Sequence, residues 1–161
     1  MIPHHFASHT AELEPENVLT VVTIYEDEPA LHRAERTVER VLEGAEDGTI
    51  ARRAAWNFAT VADGAADFEA REWLAVADIV MVAARRHLEA PPAIAEWLAD
   101  GLGDDMERPR ALVALGMVSP QNLTLPKALF ASLEPVAAQL GMRWFCSTVS
   151  VQSEDSNQPA K

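Results

Sequence analysis

Apolar residues fall into five short runs, separated by segments in which apolar residues recur at helical spacing. The runs VLTVVTIY at Val18–Tyr25 and ADIVMVAA at Ala77–Ala84 are almost wholly apolar. Such runs are typical of parallel strands covered on both faces. The remaining strands are predicted at Thr49–Val61, Arg110–Val118 and Met142–Val151.

Four helices are predicted between these strands. Asp27 is placed as the N-cap of the first helix, Pro29 lies in its first turn, and Gly44 ends it. The second helix is predicted at Ala65–Val76, and the third runs from Pro92 to Leu102, where Gly101 and Gly103 stop it. The fourth runs from a Thr124 cap to Leu140, with a kink or break at Pro135.

Strands that alternate with helices predict an α/β fold with a three-layer, doubly wound, five-stranded parallel sheet. One domain is expected at 17–151, preceded by a flexible arm at 1–16 and followed by a disordered tail at 152–161. Arg52 and Arg53 mark the second strand as an edge or bulge.

The sequence also predicts that three aromatic side chains and one thiol are buried or lie at a contact surface. Phe68 and Trp73 are assigned, with Leu74, to the apolar face of the second predicted helix. Cys146 lies in an apolar strand and is expected to be a buried, inert thiol. Trp56, like the other tryptophans, is interpreted as a core or dimer contact.

Composition excludes some partners. The formal net charge of −12 would repel phosphate backbones and anionic lipid, so nucleic acid and membrane surfaces are not expected partners. The single cysteine cannot form an internal disulfide, and the first residues do not resemble a signal peptide. The chain is therefore expected to be a cytoplasmic protein and a possible homodimer.

The segment ADIVMVAARRHLEAPPAIAEWLADGL, Ala77–Leu102, resembles the flavodoxin-like flavoproteins, and in particular the NAD(P)H-dependent FMN reductases. Ala77-Asp78 and Pro92 fall at matching places, and the step Leu140-Gly141-Met142 before the last strand is also similar. The resemblance implies the strand order 2-1-3-4-5 and FMN as the cofactor of relatives.

Two turns depart from that family's pattern. Relatives carry Thr-Pro-x-Tyr where this chain has Ala84-Arg85-Arg86-His87, which puts His87 at the position of an aromatic that contacts the flavin. Relatives hold the FMN phosphate in a small-residue loop after strand one, where this chain has Tyr25-Glu26-Asp27-Glu28. A carboxylate about 4 Å from a phosphate charge costs about 4 kcal/mol at a partly buried site, so FMN is not expected there.

The leading hypothesis is a non-catalytic small-ligand or protein-binding module that has lost FMN. Its site is predicted at the carboxyl edge of the sheet, lined by Tyr25, Glu26, Asp27, Arg85, Arg86, His87, Ser119, Gln121 and Asn122.

One alternative is an FMN-dependent NAD(P)H oxidoreductase in which Arg85 or Arg86 contacts the phosphate. A third is a hydrolase that binds magnesium or manganese through Glu26 and Asp27. A phosphorylatable receiver domain is rejected, because strand three does not end in aspartate and strand five lacks lysine.

Overall fold

The computed structural model describes residues 17–64, 67–85, 92–102, 109–118 and 127–150. The strands are β1 (Val18–Tyr25), β2 (Ile50–Asn57), β3 (Ile79–Ala84), β4 (Ala111–Val118) and β5 (Arg143–Ser150). The helices are α1 (Glu28–Glu43), α2 (Phe58–Asp63), α3 (Asp67–Val76), α4 (Pro92–Leu102) and α5 (Lys127–Gln139). The arm predicted at 1–16 and the tail predicted at 152–161 lie outside the described residues. No helix in the described part of the chain is long and apolar enough to cross a membrane.

The five strands form one parallel sheet in the order β2-β1-β3-β4-β5. This confirms the predicted sheet, including its flavodoxin-like order. The central strand β3 is buried from Val80 to Ala84, as its uninterrupted apolar sequence predicts.

The directions of the crossovers decide which helix covers which face. The step from β1 to β2 runs one way across the sheet, and every later step runs the other way. Because parallel crossovers are right-handed, α1 lies on one face and α2 to α5 lie on the other. The buried clusters agree, since Ala34 and Val38 of α1 pack with Met81 on the α1 face, whereas the larger cluster on the opposite face contains residues of α2 to α5.

The strand predicted at Thr49–Val61 is too long. β2 ends at Asn57, whose side-chain oxygen accepts a hydrogen bond from the Thr60 N–H at 2.7 Å and so caps α2. Phe58, which the alternation assigned to the strand, is instead a buried residue of this short helix. The described residues therefore contain five helices where four were predicted.

The two arginines of β2 lie on an edge strand, as predicted. Arg52 lies over the Trp73 ring, with its guanidinium carbon 5.1 Å from the ring centroid. Arg53 lies on the other face and pairs with Glu39 of α1 at 2.7 Å. Each arginine of this edge strand therefore contacts a helix, one on each face of the sheet.

Two burial expectations are wrong, those for Phe68 and Cys146. Phe68 is 79% exposed, because α3 packs through Ala70 and Leu74 and turns Phe68 outward. Cys146 is exposed, because it lies on the edge strand β5. The four tryptophans are buried or half-buried, Trp97 being the most enclosed.

Two helices continue through residues that were expected to interrupt them. α4 includes Gly101, where a Cβ atom would lie 2.5 Å from Leu74 Cδ1, so the glycine permits close packing of α4 on α3. The prediction at Pro135 was a kink or a break; α5 continues through Pro135, so a break is wrong, and the kink stays a prediction. Pro135 has no N–H, so the helix omits one internal hydrogen bond at this turn.

Candidate functional site

The turn after β1 joins the carboxyl ends of β1 and β3, which are adjacent and parallel. The backbone N–H of Glu26 donates to the carbonyl oxygen of Ala83 at 3.0 Å. The Glu26 carboxylate accepts a hydrogen bond from the backbone N–H of Arg85 at 2.7 Å. Glu26 therefore holds the two strand ends together through its backbone and its side chain.

Asp27 uses both of its carboxylate oxygens. Oδ1 accepts a hydrogen bond from the Ala30 N–H at 3.1 Å, which caps α1 as the sequence predicted. Oδ2 lies 2.9 Å from Nε and 2.7 Å from Nη2 of Arg85. The two side chains are only 26% and 28% exposed, so the ion pair is partly shielded from water.

The cap leaves little at the start of α1 for an anion. Pro29 has no N–H, the Ala30 N–H is bound to the Asp27 side chain, and the Leu31 N–H donates to the Asp27 carbonyl at 3.0 Å. A phosphate at a helix N-terminus needs such groups to be available. The residues of this turn therefore do not fit the phosphate of FMN.

The structure brings together three of the predicted site residues, Glu26, Asp27 and Arg85, in one hydrogen-bonded group. Tyr25 is half-buried and packs with the α1 cluster. The other five predicted residues, Arg86, His87, Ser119, Gln121 and Asn122, lie outside the described residues. Within the described ranges, no group of three or more side chains is arranged to hold a metal ion.

A second candidate site lies on the α1 face and was not predicted. It is a groove of about 550 Å³ between α1 and strands β3, β4 and β5. Its floor is apolar, and arginines contributed by α1 and β5 line its sides. None of the described residues that line it is acidic, although the chain as a whole has a net charge of −12.

The signal for this groove was present in the strand order and not in any local motif. Four crossovers in the order 2-1-3-4-5 supply only one helix to the α1 face. A five-stranded sheet is about 19 Å wide at about 4.8 Å per strand, whereas one helix is about 10 Å across. Among the described elements, α1 is the one on this face, and it packs on β1, β3 and β4, so none of them covers the β5 side.

No protein-family model matches the sequence, and the curated proteins contain no match to it. Among solved structures, an azoreductase from Bacillus anthracis str. Sterne is similar at 9% identity and a TM-score of 0.47, over 86% of this chain and 90% of that chain. Smu.1420 from Streptococcus mutans UA159 is similar at 10% identity and a TM-score of 0.48, over 88% and 92% of the two chains. By the order and direction of its own strands, this chain has the flavodoxin-like α/β fold.

Proposed function

We propose that this protein is a non-catalytic binding module on a flavodoxin-like scaffold, and that it does not hold FMN at the turn after β1. One observation carries the proposal. The Asp27 carboxylate caps α1 and pairs with Arg85, so it occupies the corner in which related folds bind a phosphate. The turn acts as a structural joint between β1, β3 and α1.

Energetics support this interpretation. An FMN phosphate at this corner would have to displace Asp27 from the helix, which costs about 0.5–2 kcal/mol for a lost N-cap. It would also meet the carboxylates of residues 26 to 28, each of which costs about 4 kcal/mol if it lies about 4 Å from a phosphate charge at a partly buried site. Two such carboxylates would already cost as much as the whole binding energy of a micromolar ligand, about 8 kcal/mol.

Neither enzymatic alternative gains support from the described residues. Arg85 directs two of its five guanidinium N–H donors at Asp27, so a phosphate bound by Arg85 would lie close to the Asp27 carboxylate. Glu26 and Asp27 already accept hydrogen bonds, and Asp27 also pairs with Arg85, so metal binding would cost these contacts. A binding role does not require the contacts of Glu26, Asp27 and Arg85 to break. It also agrees with an apolar groove of about 550 Å³ on the α1 face.

A flavin titration tests the proposal. Riboflavin is the matched ligand, because it carries the same ring system as FMN without the phosphate. We expect no saturable quenching of FMN fluorescence at micromolar protein and no preference for FMN over riboflavin. We also expect no oxidation of NADH or NADPH after FMN is added. Micromolar binding of FMN that riboflavin does not match would refute the proposal.

A further inference from the structure

The groove on the α1 face has the size and lining of a helix-binding surface. Ile79, Met81 and Val113 contribute to its apolar floor, and Phe145 of the edge strand borders it with 51% of its surface exposed. Leu115 is also part of the floor. An exposed aromatic side chain beside an apolar groove offers a large apolar area that a partner can bury.

The charges around the groove select an acidic occupant. Arg33 and Arg40 line it from α1, and Arg143 lines it from β5. Arg40 and Arg143 are exposed, whereas Arg33 is buried and donates to the Thr37 hydroxyl at 2.7 Å. A helix with acidic residues beside an apolar stripe would complement this surface, because its carboxylates would meet arginines and no acidic side chain.

The chain itself presents such a helix on its opposite face. In α3, Phe68 is 79% exposed and Val76 is 44% exposed. Glu69 and Glu72 are exposed as well, and Phe68, Glu72 and Val76 follow one another at four-residue spacing along one side of the helix. This apolar and acidic side of α3, Phe68, Glu69, Glu72 and Val76, is called the α3 surface below.

We propose that the groove of one copy binds the α3 surface of a second copy, which rests on the binding role proposed above and not on the loss of FMN. Phe68 enters the groove beside Phe145, and the glutamates of α3 approach Arg40 and Arg143. Because the two surfaces differ and lie on different layers of the molecule, the contact is head-to-tail. Contacts of this kind continue into longer chains or rings instead of stopping at a two-fold dimer.

Two charge-introducing variants test the contact. Phe145→Asp places a carboxylate in the groove against the incoming glutamates, and Phe68→Lys places a cation on α3 against the arginines. Each should weaken self-association by about tenfold or more in sedimentation equilibrium of the full chain. Both positions are exposed, so circular dichroism and the thermal midpoint should remain close to those of the unmodified protein. Ile50→Asp is the matched control, because Ile50 is an exposed apolar residue that belongs to neither surface.

Mixing the variants gives the decisive result. Phe68→Lys keeps an intact groove and Phe145→Asp keeps an intact α3 surface, so an equal mixture should recover the association that each variant alone has lost. A full chain that stays monomeric at all concentrations overturns the proposal. So does an association that only one of the two variants weakens, or a mixture that fails to recover, since a two-fold contact or a different surface would then be in use. None of these outcomes depends on the flavin titration.

Discussion

At the scale of single residues, Asp27 determines more of this structure than any other side chain in the turn after β1. It caps α1, pairs with Arg85 of the loop after β3, and lies beside Glu26, which binds the Arg85 backbone. The sequence predicted the cap at Asp27. It could not predict that one carboxylate would make both contacts, because that depends on the register of β1 against β3.

Replacing Asp27 should destabilise the fold. Asp27→Ala removes the cap and the partly buried ion pair, so the free energy of unfolding should fall by about 1–3 kcal/mol in urea denaturation. Asp27→Asn retains a capping oxygen but loses the charge, so the loss should be smaller. Glu28→Ala, at an exposed neighbouring position, is the control and should change stability by about 0.5 kcal/mol or less. Equal losses in Asp27→Ala and Glu28→Ala would show that the cap and pair contribute nothing.

Gly101 is a second residue with a specific packing role. A Cβ atom there would lie 2.5 Å from Leu74 Cδ1, and Leu74 is fully buried, so its side chain has little space in which to move. Overpacking costs about 1–3 kcal/mol, against a helix-propensity gain of about 0.5–1 kcal/mol. Gly101→Ala should therefore lower the free energy of unfolding by about 1 kcal/mol. If the variant is more stable in chemical denaturation, α3 and α4 do not pack as closely as described.

At the scale of elements, the buried strands were easier to predict than the edges. Both ends of β1 were predicted correctly, because its apolar run lies between polar residues and an acidic turn. β2 was predicted too long because Phe58, which completes an apolar pattern, packs in the next helix. The groove was missed because its signal is the direction of the crossovers, which no single stretch of sequence contains.

The position of each strand should determine how slowly its amides exchange with solvent. β3 has neighbours on both sides and is buried from Val80 to Ala84, whereas β2 and β5 are edges. In native-state hydrogen exchange, the amides of β3 should be the most protected, followed by those of β1 and β4, with β2 and β5 the least. Protection of β5 equal to that of β3, at concentrations where the protein is monomeric, would contradict the description of β5 as an open edge.

At the scale of the whole molecule, acidic residues outnumber basic ones by 25 to 13. The net charge of −12 over 161 residues implies self-repulsion in the folded state, which salt screens. The described ion pairs Arg53–Glu39 and Arg71–Asp100 are largely exposed and contribute little.

The thermal midpoint should consequently rise when sodium chloride is increased from low to physiological concentration. The relief of repulsion among many carboxylates should outweigh the weakening of a few exposed ion pairs. Differential scanning calorimetry in a buffer of constant pH measures this directly. A midpoint that falls with salt would mean that attractive pairs, and not repulsion, dominate the electrostatics of the fold.

If the turn after β1 is closed to phosphate, its occupied backbone amides should not respond to FMN, and amide chemical shifts report on them atom by atom. In a ¹H–¹⁵N correlation spectrum of the full chain, FMN should leave the backbone amides of Ala30 and Leu31 unshifted, because both already donate to Asp27. Saturable shifts of these two amides with FMN, absent with riboflavin, would place a phosphate at the helix N-terminus and show that the turn is open to it.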